Sequence, residues 1–169
     1  MTLRLHRIAK LKYAQLTQLD EHGYGAARYG ARWNSPDEGL RYDRRIIYAA
    51  DTLAQAMLEI IVHTDSPVLQ SVAHGHVQLS VEEEFIVDLS LEQLPPTWNA
   101  NPTTSATQVI GDQWFDEMIS PVLRLPSVIL PLWVYSVGHS NYLINARHPN
   151  IDQAVKLLSC DALPFDARL

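Results

Sequence analysis

A chain of 169 residues and 19.1 kDa in which 47% of residues are hydrophobic has enough material for one buried core, so a single domain over residues 1–169 is expected. Thirteen Lys and Arg against nineteen Asp and Glu give a formal charge of -6, which repels a phosphate backbone and argues against direct contact with nucleic acid. No apolar run reaches the roughly 20 residues of a spanning helix, Met1 to Leu11 has no apolar signal-peptide centre, and the lone Cys160 permits no internal disulfide, so a soluble cytoplasmic protein without membrane contact is expected.

Leu3 to Ile8 alternates apolar and polar residues, the period of a half-buried strand, with Arg4, His6 and, given strand twist, Arg7 on the face opposite Leu3 and Leu5. Residues 9–22 can form a short helix around Leu11, Leu16 and Leu19 before His22-Gly23 ends it. Gly23 to Asn34 then crowds three glycines with Tyr24, Arg28, Tyr29, Arg32 and Trp33. Glycine permits close backbone approach and arginine offers a fork of donors, so Arg28, Tyr29 and Arg32 suit an anionic ligand. A surface turn whose aromatic rings pack on a neighbouring strand has the same composition.

Ile46 to Ala49 reads as a buried strand ending near Tyr48. Thr52 and Gln55 fit a capping box, the threonine hydroxyl reaching forward and the glutamine amide back, and Leu53, Ala56, Met57, Ile60 and Ile61 make an apolar helical stripe. Glu59 lies about 120° from the centre of that stripe, between apolar Leu58 and Val62. That placing fits a cleft wall as well as the commoner solvent-exposed glutamate.

Val68 to Ser80 and Glu84 to Asp88 read as strands joined by an acidic turn at Glu82 to Glu84. His74 and His76 share a strand face, but no third ligand stands at a metal spacing, so the expectation is an exposed face and no metal. Residues 94–102, with three prolines, predict a long loop, and Thr103 to Glu117 a helix with Gly111 as its soft point. Val122 to Pro131 reads as a strand pair broken by Pro126, which puts Ser127 at a bend or bulge where side chains are often aimed into a site; a plain strand serine packed among Val and Ile is the alternative. Asn141 to Asn145 is a further strand, Ala146 to Asn150 a turn, and the residues through Leu158 a short amphipathic piece; Cys160, with Leu157, Leu158 and Leu163 as apolar neighbours, reads as a core filler. Leu163 to Leu169 is a candidate edge strand.

Taken in order, Arg28-Tyr29-Gly30-Ala31-Arg32-Trp33-Asn34-Ser35, Ile47-Tyr48-Ala49-Ala50, Leu58-Glu59-Ile60-Ile61-Val62-His63, Leu125-Pro126-Ser127, Asn141 to Asn145 and His148-Pro149 resemble the signature blocks of the RES-domain family. The resemblance implies an α+β fold like that of ADP-ribosyltransferase catalytic domains, with a mixed, largely antiparallel β core and flanking helices around an NAD cleft. It also implies the toxin of a bacterial toxin-antitoxin pair that cleaves the nicotinamide-ribose bond by hydrolysis or phosphorolysis. NAD would be the substrate, with no cofactor. The same likeness allows ADP-ribose transfer to a host protein, and an inert nucleotide- or partner-binding module is a third possibility. The implied partner is a helix-turn-helix, Xre-like antitoxin that covers the cleft within a larger complex.

Carried over residue by residue, the likeness makes Arg32, Glu59, Ser127 and Tyr48 the catalytic set, with Arg7, Asn145 and His148 as further substrate-binding positions. Ala146 stands where the family often has proline. Breaking the bond to nicotinamide builds positive charge on the ribose, for which a fixed carboxylate such as Glu59 is the natural stabiliser. Arg32 and Arg7 would grip the pyrophosphate, Tyr48 would stack on a ring, and Ser127 would orient nicotinamide or the acceptor. No Gly-x-Gly-x-x-Gly follows a strand, which disfavours a dehydrogenase, and neither His139 nor His148 stands at a spacing that supports a triad with Ser127.

Overall fold

A computed structural model describes residues 1–135 and 137–169. In chain order its elements are β1 (Thr2–Lys10), α1 (Leu11–Ala14), α2 (Tyr24–Tyr29), β2 (Ile46–Ala50), α3 (Leu53–His63), α4 (Ser66–Ser71), β3 (His74–Glu82), β4 (Ile86–Asp88), α5 (Ser105–Asp116), β5 (Val122–Pro126), β6 (Ser140–Asn145), α6 (Ile151–Ala154) and β7 (Val155–Leu163). The seven strands form one sheet in the order β4-β5-β6-β2-β1-β3-β7. Every pairing is antiparallel except β4 with β5. The expected α+β architecture is thus observed.

The sheet is two halves held at a seam. β1 pairs with β3 over nine residues, whereas β1 meets β2 through the single pair His6↔Ala50. Two neighbouring strands that diverge after one pair leave their inward side chains without a cross-strand cover, and that gap is the start of a cleft. The helix α3 lies over the seam, where Leu53, Met57 and Ile60 pack against Ile8, Ala50 and Ala56. These are stripe residues read from the sequence. A second cluster packs Trp114 and Phe115 of α5 against Trp33, Ile46, Leu123, Leu125 and Leu143.

Several sequence expectations are corrected. Residues 9–22 are not one helix: β1 runs on to Lys10, four residues of α1 follow, and a 3-10 turn covers Leu19–Gly23. The strand expected from Val68 starts at His74, because Ser66–Ser71 is helical with proline in its first turn, where a missing N-H costs nothing. Residues 128–130 form bends, not a strand, and the C-terminal edge strand is β7, which ends at Leu163 where the expected one was to begin. Cys160 lies exposed on β7 and fills no core. His74 and His76 are buried, at 6% and 8% exposure, the first edge-on to Phe165 and the second beside His6.

Burial holds His6, His22 and His76 below the ordinary histidine value of 6.5. The unfolded chain therefore takes up protons that the folded chain refuses, and stability, full above about pH 7, should fall as pH drops through 6.5. Urea midpoints measured at intervals from about pH 7.5 to 5.5 check this, with flattening in His76→Gln; a midpoint constant across that range in the unmodified protein would count against it.

Candidate functional site

The cleft at the seam encloses about 260 Å³ and is lined by β1 (His6, Arg7), the 31–33 segment, β2 (Tyr48 to Ala50), α3 (Ala56, Glu59, Ile60, His63), the end of β5 and Asn141 of β6. That volume falls just below the usual range for ligand pockets, about 300–1,000 Å³, so it suits part of a dinucleotide with the remainder along the open mouth.

Glu59 faces this cleft from α3. Its Oε1 accepts hydrogen bonds from Ser127 Oγ at 2.8 Å and from Asn141 Nδ2 at 2.6 Å. Among the described residues the one ion-pair contact of its Oε2 is with His63 Nε2, at 3.9 Å. One carboxylate oxygen is thus fixed and the other presented. Ser127, at 3% exposure, sits just past the end of β5 as the Pro126 signal suggested; it gives its proton to Glu59 and accepts from the N-H of Ile129 at 3.2 Å. A hydroxyl so placed helps to hold the carboxylate in one orientation.

Arg32 rests on a clamped segment. From α5, Thr107 Oγ1 donates to Arg32 O at 2.6 Å, Gln108 Nε2 donates to Ala31 O at 3.0 Å, and Asp112 Oδ1 accepts Ser35 N at 3.0 Å. Arg32 Nη1 donates to the carbonyls of Trp98 and Ala100, each at 3.0 Å, which is the role of the long proline-rich loop. Desolvation lowers its affinity for the proton, and the charge of Glu59 opposes that.

Arg7 donates to Tyr48 O and His22 O, both at 3.1 Å, and its buried Nε has no partner among the described residues. Burial brings it down to about 10, so it stays charged at neutral pH. Among the described residues neither Arg7 nor Arg32 has a carboxylate at ion-pair distance. Cations held by carbonyls alone are under-compensated, and an anion placed between them restores the balance.

Tyr48 puts its ring on the cleft while its hydroxyl donates to Asn34 Oδ1 at 2.6 Å and accepts from Trp33 N at 3.2 Å. Burial raises it, so the phenol stays neutral and anchors the 31–34 segment instead of acting as a base. Tyr48→Phe leaves both partners buried and unmatched, and should lower unfolding free energy by ~1–3 kcal/mol in urea titrations; a loss below about 0.5 kcal/mol would contradict the anchoring role.

The remaining sequence candidates lie elsewhere. Arg28 and Tyr29 are exposed at the end of α2, the former donating to Tyr24 Oη at 2.9 Å, and neither lines the cleft. The glycine-rich stretch around them is largely the helix α2 and not a loop. Asn145 is fully buried, tying Phe115 O to Arg147 N at 3.3 and 3.0 Å. His148 donates from Nε2 to Met118 O at 3.2 Å and accepts Asn150 N on Nδ1 at 3.1 Å. Both hold the turn after β6 and do not reach the cleft. Sequence reasoning missed Asn141, His6 and His63; the i,i+4 spacing of Glu59 and His63 on one helix was the available signal for the last.

The RES domain family model matches residues 4–166. The chain is 30% identical to "Toxin Res" of Yersinia enterocolitica over 168 residues, 99% of each sequence, and 32% identical to "Toxin Res" of Photorhabdus laumondii over 98% of this chain and 96% of that one. It is 33% identical to the "Prs ADP-ribosylating toxin" of a Sphingobium species over 78% of this chain and 75% of the relative. A chain from the M. tuberculosis MbcT-MbcA toxin-antitoxin complex superposes with a TM-score of 0.69 at 18% identity, covering 97% of this chain and 85% of the other, a likeness of fold. With the family model spanning nearly its whole length and full-length relatives at 30% identity, the chain belongs to the RES-domain family of toxins.

Proposed function

We propose that the protein is the toxin of a toxin-antitoxin pair and that its seam cleft binds NAD and cleaves the nicotinamide-ribose bond. The observation that carries this reading is a presented carboxylate, Glu59 Oε2, in a cleft that also holds two arginines without carboxylate partners among the described residues. Such a charge arrangement fits a dinucleotide: Arg7 and Arg32 take the pyrophosphate, and Glu59 faces the ribose as it gains oxocarbenium character. Tyr48 offers a ring face to the base or sugar, and Ser127 acts on Glu59 instead of on substrate.

The acceptor is water or phosphate in the first instance. Transfer to a protein is a second reading, supported by the name of the Sphingobium relative, since ADP-ribosylation breaks the same bond. Purified protein incubated with NAD, with and without added phosphate, should release nicotinamide on chromatography. Free ADP-ribose, its phosphorylated form, or label from NAD on one protein band in a lysate separates the three acceptors. Absence of nicotinamide under all three conditions would overturn the reading.

The partner we infer is a helix-turn-helix, Xre-like antitoxin that covers the cleft in a larger assembly. An antitoxin partner is supported by the toxin-antitoxin complex of the structural relative together with exposed apolar side chains beyond Ser127, Trp133 at 81% and Val137 at 71% exposure; its helix-turn-helix character is carried by the family resemblance. In that assembly any DNA contact belongs to the antitoxin, in keeping with the net charge of -6.

A further inference from the structure

Glu59 does not orient itself. The oxygen it fixes takes its shorter hydrogen bond, 2.6 Å, from Asn141, whose own Oδ1 accepts from Gln55 Nε2 at 2.8 Å. Gln55 Nε2 also donates to the main-chain carbonyl of His139 at 3.3 Å. A carbonyl oxygen can only accept, so it fixes which end of the Gln55 amide faces it; that end is NH2, and the same NH2 fixes the sense of Asn141. The asparagine then has only its NH2 to turn toward Glu59. Gln55, at 2% exposure, lies one helical turn before Glu59 on the same face of α3, and Thr52 Oγ1 accepts its main-chain N-H at 3.1 Å. Its side chain therefore does not close the capping box expected from the sequence. It is spent on Asn141 instead.

We propose that Asn141 is a positioning residue for Glu59 and that Gln55, anchored on the His139 carbonyl, sets the direction of its amide, so that Oε1 is held and Oε2 is turned to the ribose. The proposal rests on the NAD-cleaving reading of the site. Asn141→Asp keeps the size but puts an oxygen where the donor was, so kcat for nicotinamide release should fall about 100-fold with KM for NAD changed less than about threefold. Gln55→Met should lower kcat roughly tenfold, and the double variant should be no slower than Asn141→Asp alone, because one residue acts through the other. A readout independent of turnover is the side-chain amide region of the proton-nitrogen NMR spectrum. Asn141 should show one strongly downfield, slowly exchanging proton that is lost in Glu59→Ala, which removes the acceptor, and shifted in Gln55→Met.

Wild-type kcat in both single variants, or additive losses in the double variant, would overturn the proposal. So would Asn141 amide protons at ordinary positions. If the downfield proton is present but the wild-type protein releases no nicotinamide, the NAD reading fails and the positioning of Glu59 stands.

Discussion

Glu59→Gln should fold like the wild type and lose ~10²–10³-fold in kcat for nicotinamide release, with KM for NAD nearly unchanged. The substitution is isosteric, and a glutamine carbonyl can still accept from Ser127 and Asn141 at the 2.8 and 2.6 Å positions of Oε1. What changes is the atom facing the cleft, from a charged oxygen to an amide. A carboxylate interacts with the sugar only weakly while the ribose is neutral and strongly once positive charge develops, so its loss is felt in the transition state and not in binding. Circular dichroism and thermal melting establish that the fold survives. Steady-state kinetics then decide, and a variant with kcat within threefold of wild type would remove Glu59 from the chemistry.

Gly111→Ala should destabilise the protein by about 1–3 kcal/mol, although alanine in a helix interior is ordinarily worth close to 1 kcal/mol over glycine. A Cβ at Gly111 would stand 1.7 Å from Trp33 O and 2.8 Å from Trp33 C, backbone atoms that have nowhere to go. Relief requires α5 to part from the segment it clamps through Thr107, Gln108 and Asp112, which is the segment that carries Arg32. Loss of activity should therefore accompany loss of stability. At this length each kcal/mol corresponds to roughly 2–4 °C of melting temperature. A variant that melts at or above the wild-type temperature would show that the contact yields cheaply.

Gly111 also shows where sequence reading stops. In one dimension it is a weak point in a helix; only the fold reveals the main chain of Trp33 lying against it. Patterns that report a local period were legible: the stripe of α3, the buried runs of β2 and β6, and the alternation of β1 each reflect one face meeting one core. Those that depend on long-range partners were not. β7 alternates poorly because it is an edge strand with one neighbour, and α4 is too short for its proline to outweigh the β-branched Val68.

Within the site, Arg32, Glu59, Tyr48, Arg7 and Ser127 converge on or behind one cleft although they span 120 residues of sequence. The resemblance named all five, whereas composition pointed to Arg32 alone among them. Arg28 and Tyr29 carry the right chemistry for an anion yet face outward, because the helix α2 ends before the chain turns into the seam. Asn141 and Gln55 carried no sequence signal beyond a strand and a cap, since their use depends on which side chain faces them across the cleft.

The most direct test of the NAD assignment is a crystal structure of Glu59→Gln soaked with NAD, in which the bond stays intact long enough to be seen. The nicotinamide riboside should lie in the seam cleft with a ribose hydroxyl within hydrogen-bond distance of the residue-59 side chain and the pyrophosphate against Arg7 and Arg32. Dinucleotide density on any other surface, or none at saturating NAD, would contradict the assignment of this cleft.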